Sequence, residues 1–133
     1  MKIRAEDMEK ARALLPGLFK FDESERFSQA ILALGEDELF IYCDHAPDYV
    51  DAEEKVYHVK MRFPKNNIST VVDEKLMKQP ELSALDRIAI LASNKETYYF
   101  YYFNDKNKVV SNFIAGLKHY GYPFQSHKVD MSV

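Results

Sequence analysis

Residues 85–103 read LDRIAILASNKETYYFYYF, and this stretch decides the fold class. Two runs of apolar and aromatic residues, 85–92 and 97–103, flank the polar linker at residues 93–96. Aromatic and β-branched residues favour strands, and two such runs joined by a short polar linker are typical of a β-hairpin. The stretch therefore predicts two antiparallel strands in a domain whose core is built on sheet.

The strand at 97–103 has more aromatic rings than one face of a sheet needs. Successive side chains point to opposite faces, so the rings form two sets of three: Tyr98, Phe100 and Tyr102 on one face, and Tyr99, Tyr101 and Phe103 on the other. One set can fill the core. For the other set, the candidate interface, we expect cover by a helix or loop, or contact with another protein. Base stacking is disfavoured, because RNA-binding sheets combine such rings with Lys and Arg, which this strand lacks.

Four more strands are predicted on the N-terminal side of this hairpin. Residues 27–34 and 38–43 flank a Gly-Glu-Asp turn and predict another hairpin. The run 55–63 alternates, which predicts a strand with Tyr57, Val59, Met61 and Phe63 on one face and His58, Lys60 and Arg62 on the other. Pro64 ends that strand, and residues 68–72 form the next. The polar residues 73–84 are expected to form a loop or a brief helical turn, with room for one hidden strand.

Helices are predicted near both ends of the chain. Apolar residues recur at helical spacing from Glu6 to Leu15, and Pro16-Gly17 stops the pattern. A second amphipathic helix is predicted over residues 105–120, where Gly121 and Pro123 terminate it. The residues after it are expected to form a loose tail.

The order of these elements resembles the bacterial pleckstrin-homology-like family, relatives of the PH and GRAM domains. The likeness rests on ILALGEDELFIY (31–42), FPKNNISTV (63–71) and VVSNFIAGL (109–117), and it spans about residues 25–120. It implies a mainly β fold: a bent antiparallel barrel of about seven strands capped by the C-terminal helix, with an extra N-terminal helix. The family is chiefly a scaffold that binds proteins or lipids, and it has no common catalytic residues.

Length and charge limit the organisation and the partners. A chain of 133 residues is expected to form one domain, with a helix and connector at 1–20, a core at 25–120 and a tail at 121–133. The net charge of −3 gives no general attraction to nucleic acid or to an anionic membrane. The single cysteine, Cys43, predicts a reducing compartment, and with no signal or membrane-spanning pattern we expect a cytoplasmic protein.

Two further groups of residues are weak candidate sites. Lys55, Lys60 and Arg62 have the spacing K-x4-K-x-R, which looks like the phosphoinositide signature of some PH domains, although a solvated strand face is the more ordinary explanation. Cys43 and His45 are close in sequence but lack an evident third partner for a metal or a catalytic pair. We expect no metal, no cofactor and no catalytic residue.

The sequence therefore predicts a non-catalytic binding module that self-associates or docks another protein. Because of its surplus aromatic face and apolar N-terminal segment, we expect a homo-oligomer. Two alternatives stay open: peripheral binding of anionic lipid through the basic strand, and a small enzyme or ligand carrier of the α+β cone type. The closing helix disfavours the last, because that topology generally ends in strands.

Overall fold

The computed structural model describes residues 2–4, 11, 13–20, 26–43, 56–77, 85–104 and 108–130. Nine strands lie in these residues: Lys2–Arg4 (β1), Ala13–Lys20 (β2), Phe27–Leu34 (β3), Glu38–Cys43 (β4), Val56–Pro64 (β5), Ile68–Met77 (β6), Leu85–Ala92 (β7), Thr97–Phe103 (β8) and Phe124–Asp130 (β9). One turn of 3₁₀ helix, Lys65–Asn67, joins β5 to β6, and one α-helix, Lys108–His119 (α1), lies between β8 and β9.

The strands form one sheet in the order β1-β5-β4-β3-β2-β8-β7-β6-β9. Every pairing in this order is antiparallel except that of β9 with β6, which is parallel. Strand β2 joins the two halves, since it pairs with β3 over its whole length but with β8 only from Leu18 to Lys20. Within the described residues β1 and β9 each have one partner, so backbone pairing does not close the sheet.

The sheet curls around a single main core. The rings of Phe63 on β5 and Tyr98 on β8 lie 5.1 Å apart, although four strand spacings of a flat sheet would separate them by about 19 Å. Helix α1 packs inside this curl, where Val110, Phe113 and Leu117 are buried with the inward residues of the strands. We call the side toward α1 the inner face and the opposite side the outer face.

The hairpins and the C-terminal helix are confirmed, but both chain ends differ from the prediction. The N-terminal helix predicted over 6–15 is wrong at residues 13–15, which begin β2, while residues 6–10 and 12 lie outside the described residues. Pro16 and Gly17, taken as a helix stop, lie inside β2. The predicted loose tail contains β9, and the predicted loop after residue 72 continues β6 as far as Met77.

The predicted alternation of β5 is interrupted by a bulge. Ile41 of β4 is opposite Met61, but the next residue, Tyr42, is opposite Val59, so Lys60 is the extra residue. Met61 and Phe63 contact the main core, whereas Val59 is buried with Ala33 and Phe40 in a second cluster. The prediction that Val59 shares a face with Met61 and Phe63 is therefore wrong, because a bulge shifts the alternation by one residue.

The fold class is confirmed only in its coarse form. The structure is mainly β with one described α-helix packed on a curled sheet. A closed barrel of about seven strands was predicted, whereas the described residues form one nine-stranded sheet whose edge strands are not paired with each other.

Candidate outer-face docking site

The register of the strands places the candidate interface on the outer face. Tyr99 of β8 lies opposite Lys20 of β2, which in turn lies opposite Phe27 of β3. In the next row Tyr101 lies between Leu18 of β2 and Arg87 of β7. Side chains alternate between the two faces along a strand, and Phe100 and Tyr102 contact the inner core. Tyr99 and Tyr101 therefore point to the outer face.

Two of the three candidate interface rings are covered by neighbouring side chains. The Arg87 guanidinium lies 4.3 Å from the centroid of Tyr99 and also donates to the Tyr101 hydroxyl at 3.3 Å. The edge of Phe27 packs on Tyr101, with centroids 5.2 Å apart and an interplanar angle of 80°. Tyr101 is consequently buried, and Tyr99 is half-buried. Among the described residues, the side chains that cover these rings belong to the neighbouring strands β3 and β7.

Arg87 is held in place by a carboxylate on the next strand. Its Nε donates to Glu74 Oε1 at 2.8 Å, and His127 of β9 lies 3.4 Å from the other oxygen of the same carboxylate. Burial alone would lower the pKa of Arg87, but hydrogen bonds to Glu74 and Tyr101 outweigh it and raise that pKa. Arg87 is therefore a fixed cation that shields the rings, with its charge already balanced.

The third candidate ring, Phe103, is 59% exposed. Leu14 on β2 is 44% exposed and Phe27 on β3 is 40% exposed, and both lie on the same outer face. Most outer side chains along the three strands β3, β2 and β8 are apolar, and the polar side chains of Lys20 and Gln29 also lie on this face. We call the apolar set the outer stripe: Leu14, Pro16, Leu18, Phe27, Ile31 and Phe103.

A polar cluster occupies the inner face at the other half of the sheet. Tyr102 donates to Asp73 Oδ1 at 2.5 Å, and Lys75 Nζ donates to the Tyr102 hydroxyl at 3.0 Å. Lys75 Nζ also lies 3.2 Å from Asp73 Oδ2 and 3.5 Å from Asp86 Oδ2, while Asp86 Oδ1 accepts from the Leu76 amide at 3.0 Å. Every buried side-chain polar atom of the described residues has a hydrogen-bond partner. We interpret this inner polar cluster as structural, since its groups satisfy one another.

The candidate lipid-binding residues are only partly described. Arg62 forms a two-point contact with Glu38, at 3.1 Å from Nε and 2.5 Å from Nη2. Lys60 is half-buried at the bulge and has no carboxylate partner among the described residues. Lys55 lies outside the described residues. Of the two candidate cations that the structure describes, Arg62 therefore has a local counter-charge.

The weaker candidates lie mostly at undescribed positions. Cys43 ends β4, and His45 lies outside the described residues. The described part of the chain contains no group of three or more residues able to hold a metal ion. No helix within that part is long and apolar enough to cross a bilayer.

Sequence reasoning missed Arg87, Glu74, Leu14 and Phe27 as parts of this face. A four-residue linker in the β7–β8 hairpin would pair Arg87 with Tyr102 and place it on the inner face. Ala92 instead pairs with Glu96, and Lys95 adopts φ 72°, so the loop has three residues and the register moves by one. The length and type of this turn set the register that brings Arg87 to the outer face, and the sequence alone did not specify them.

Similarity to known proteins is found only at the level of structure. No protein-family model and no curated protein matches the chain. The hSac2 domain from human phosphoinositide phosphatase Sac2 aligns with a TM-score of 0.53 and 10% identity, over 92% of this chain and 79% of that one. The fold is similar to that of the hSac2 domain.

Two other solved structures align over similar lengths. The C-terminal domain of an unknown protein from Leishmania infantum gives a TM-score of 0.55 and 11% identity, over 83% of each chain. The N-terminal PH domain of human ARAP2 gives 13% identity over 90% of this chain and 92% of that one, but its TM-score of 0.42 is too low to support an argument. At these identities the likeness concerns the fold alone.

Proposed function

We propose that this chain is a non-catalytic binding module that docks a protein partner through its outer face. The observation that supports the proposal is the outer stripe, where Leu14, Phe27 and Phe103 are all at least 40% exposed on adjacent strands. Large apolar side chains that are scattered singly on a surface need no explanation, whereas a contiguous group typically meets another molecule. Self-association and docking of a different protein are the two forms that this function can take.

Capture of partners by the full chain tests the proposal. We expect a partner, either a second copy or another protein, to be retained by the wild-type chain and lost when Leu14→Ser and Phe103→Ser are combined. Met77→Ser is the matched control, since Met77 is 41% exposed but lies on β6, away from the stripe. Equal retention by the stripe variant and the control would remove the basis of the proposal.

Binding to an anionic lipid surface is the second candidate. Lys60 has no carboxylate partner among the residues described, and the hSac2 domain, similar in fold, comes from a phosphoinositide phosphatase. Vesicles with and without phosphoinositide separate the two candidates. Binding to the charged vesicles that Lys60→Glu abolishes supports the lipid surface, and equal, negligible binding to both excludes it.

A further inference from the structure

Strand β9 is held to the sheet unequally along its length. Tyr122, just before the strand, is 4% exposed, and its hydroxyl donates to a carbonyl of the β3–β4 turn at 2.8 Å. Phe124, the first residue of the strand, packs against the main core. From Gln125 to Lys128, by contrast, every residue is exposed, and Val129 is only half-buried. The part of the strand after Phe124, residues 125–130, therefore buries little apolar surface, and we call it distal β9.

Distal β9 is joined to β6 mainly through its backbone. Its residues pair in parallel with β6 from Val72 to Met77. Among the described residues, the polar side-chain contact between the two segments is that of His127 Nε2 with Glu74 Oε2, at 3.4 Å. Parallel pairing is slightly less stable per residue than antiparallel pairing. A strand with exposed backbone pairing and few buried apolar contacts belongs to the part of a fold that opens most easily.

The polar side chains of β6 do not depend on distal β9. Glu74 accepts from Arg87 of β7 at 2.8 Å, and Asp73 accepts from Tyr102 of β8. The Leu76 amide likewise donates to a carboxylate on β7, at 3.0 Å. If distal β9 left the sheet, β6 would stay paired with β7, and its buried carboxylates would keep these donors.

We infer that distal β9 detaches from β6 while the rest of the fold stays intact, with the hinge directly after Phe124. Detachment exposes the backbone donors and acceptors on the edge of β6, and such an edge can pair with an added strand. Distal β9 is thus a built-in cover for this edge. The inference is independent of the outer stripe, which lies on β2, β3 and β8.

Alternate amides of β6 report on this opening. The Val71 amide donates to the carbonyl that directly precedes β9, at 2.8 Å, so it faces β9. Successive amides of a strand point to opposite sides. The Asp73 and Lys75 amides therefore also face β9. Those of Val72 and Glu74 face β7, so they are internal controls in the same strand.

Native-state hydrogen exchange of the full chain, followed by NMR, tests the inference. After correction for intrinsic rates, we expect the Asp73 and Lys75 amides to exchange at least about tenfold faster than the Val72 and Glu74 amides, because they need only the local opening. Equal protection of all four amides would mean that β9 leaves only when the whole fold unfolds, which overturns the inference. Exchange of Asp73 and Lys75 at the rates of an unfolded chain also overturns it, because distal β9 would then not be paired.

Two proline substitutions in distal β9 give a matched pair. Because Val71 pairs between residues 123 and 125, the odd-numbered amides of β9 face β6, whereas the Lys128 amide faces away. Proline removes the amide hydrogen. Val129→Pro should therefore speed exchange at Asp73 and Lys75 by about fivefold, since it removes a hydrogen bond of the pairing, and Lys128→Pro should change it by less than about twofold. Equal effects of the two substitutions, including no effect of either, would mean that distal β9 does not cover these amides.

Discussion

Tyr102 links the aromatic core to the inner polar cluster. Its ring is buried in the main core, and its hydroxyl both donates to Asp73 and accepts from Lys75. Asp73 is only 2% exposed, so water cannot replace a lost donor there. Without the Tyr102 hydroxyl, Asp73 keeps Lys75 at Oδ2 but loses the donor to Oδ1, and a buried acceptor that loses its donor is costly.

We therefore expect Tyr102→Phe to lower the free energy of unfolding by about 1 to 3 kcal/mol. Tyr99→Phe is the control, because it keeps the ring under Arg87 and removes a hydroxyl for which the described residues show no hydrogen bond. Urea unfolding of both variants measures the difference. Equal stabilities would mean that the Asp73 contact contributes nothing.

Two buried tyrosines should make the protein sensitive to alkali. Burial, followed by the hydrogen bond to Asp73, raises the pKa of Tyr102, and burial, followed by the charges of Asp37 and Glu38, raises the pKa of Tyr122. In the unfolded chain both tyrosines ionise near pH 10, whereas in the folded chain they stay protonated. The stabilisation is thus fully present below about pH 10 and is lost as the pH rises toward the folded values.

Urea unfolding at several pH values above about 10 should therefore show the free energy of unfolding falling with pH. Each tyrosine contributes a slope of about 1.4 kcal/mol per pH unit, so Tyr102→Phe should make the slope shallower by that amount. A slope that Tyr102→Phe leaves unchanged would show that this hydroxyl ionises as readily in the folded state.

At the scale of elements, strand β2 depends on a glycine where it meets β8. A Cβ built on Gly17 would lie 2.0 Å from the Tyr101 carbonyl oxygen and 2.8 Å from the Phe100 ring. The carbonyl belongs to a paired strand and cannot move aside easily. Pro16 is tolerated beside it because β8 pairs with β2 only from Leu18 onward, so that side of Pro16 has no pairing in the described strands.

Gly17→Ala should consequently destabilise the fold by about 1 to 3 kcal/mol or more, since it forces the two strands apart. Gly116→Ala in α1 is the comparison, because its Cβ would meet only the Leu34 side chain at 2.5 Å, and alanine favours a helix by up to about 1 kcal/mol. Thermal or urea unfolding compares the two. A larger loss for Gly116→Ala would contradict the close approach of β2 and β8.

The elements that could be predicted from sequence are those with local signals. Strands β3, β4, β7 and β8 have the predicted bounds, because apolar runs and turns mark them within a few residues. Strand β2 was missed because the close approach that requires Gly17 is to β8, more than eighty residues away. The extension of β6 was missed because the partners that make Asp73 and Glu74 acceptable in a strand lie on β7 and β8.

Strand β9 shows the same limit. Its residues Gln125 to Lys128 are polar and exposed, so the sequence lacks the alternation of apolar and polar residues that predicts a strand. It is held at the sheet edge by parallel backbone pairing to β6 and by the half-buried ring of Phe124. Of the predicted interface, the two faces of β8 were read correctly from the alternation, but the burial of Tyr101 depends on Arg87 and Phe27 from other strands.

At the scale of the whole molecule, the two faces of the curled sheet differ in what they contact. The inner face and α1 form the main core, whereas the outer face of β2, β3 and β8 carries the outer stripe. Strand β8 contributes to both, with Phe100 and Tyr102 inward and Phe103 outward. Docking through the outer face requires that the Phe103 ring is available for binding and is not needed for folding.

The free energy of unfolding of Phe103→Ser, measured by urea denaturation beside the wild type, tests this requirement most directly. Because Phe103 is 59% exposed, we predict a change within about 0.5 kcal/mol. A loss of more than about 2 kcal/mol, as expected for a buried aromatic side chain, would mean that Phe103 is part of the core and that the outer face is not a free docking surface.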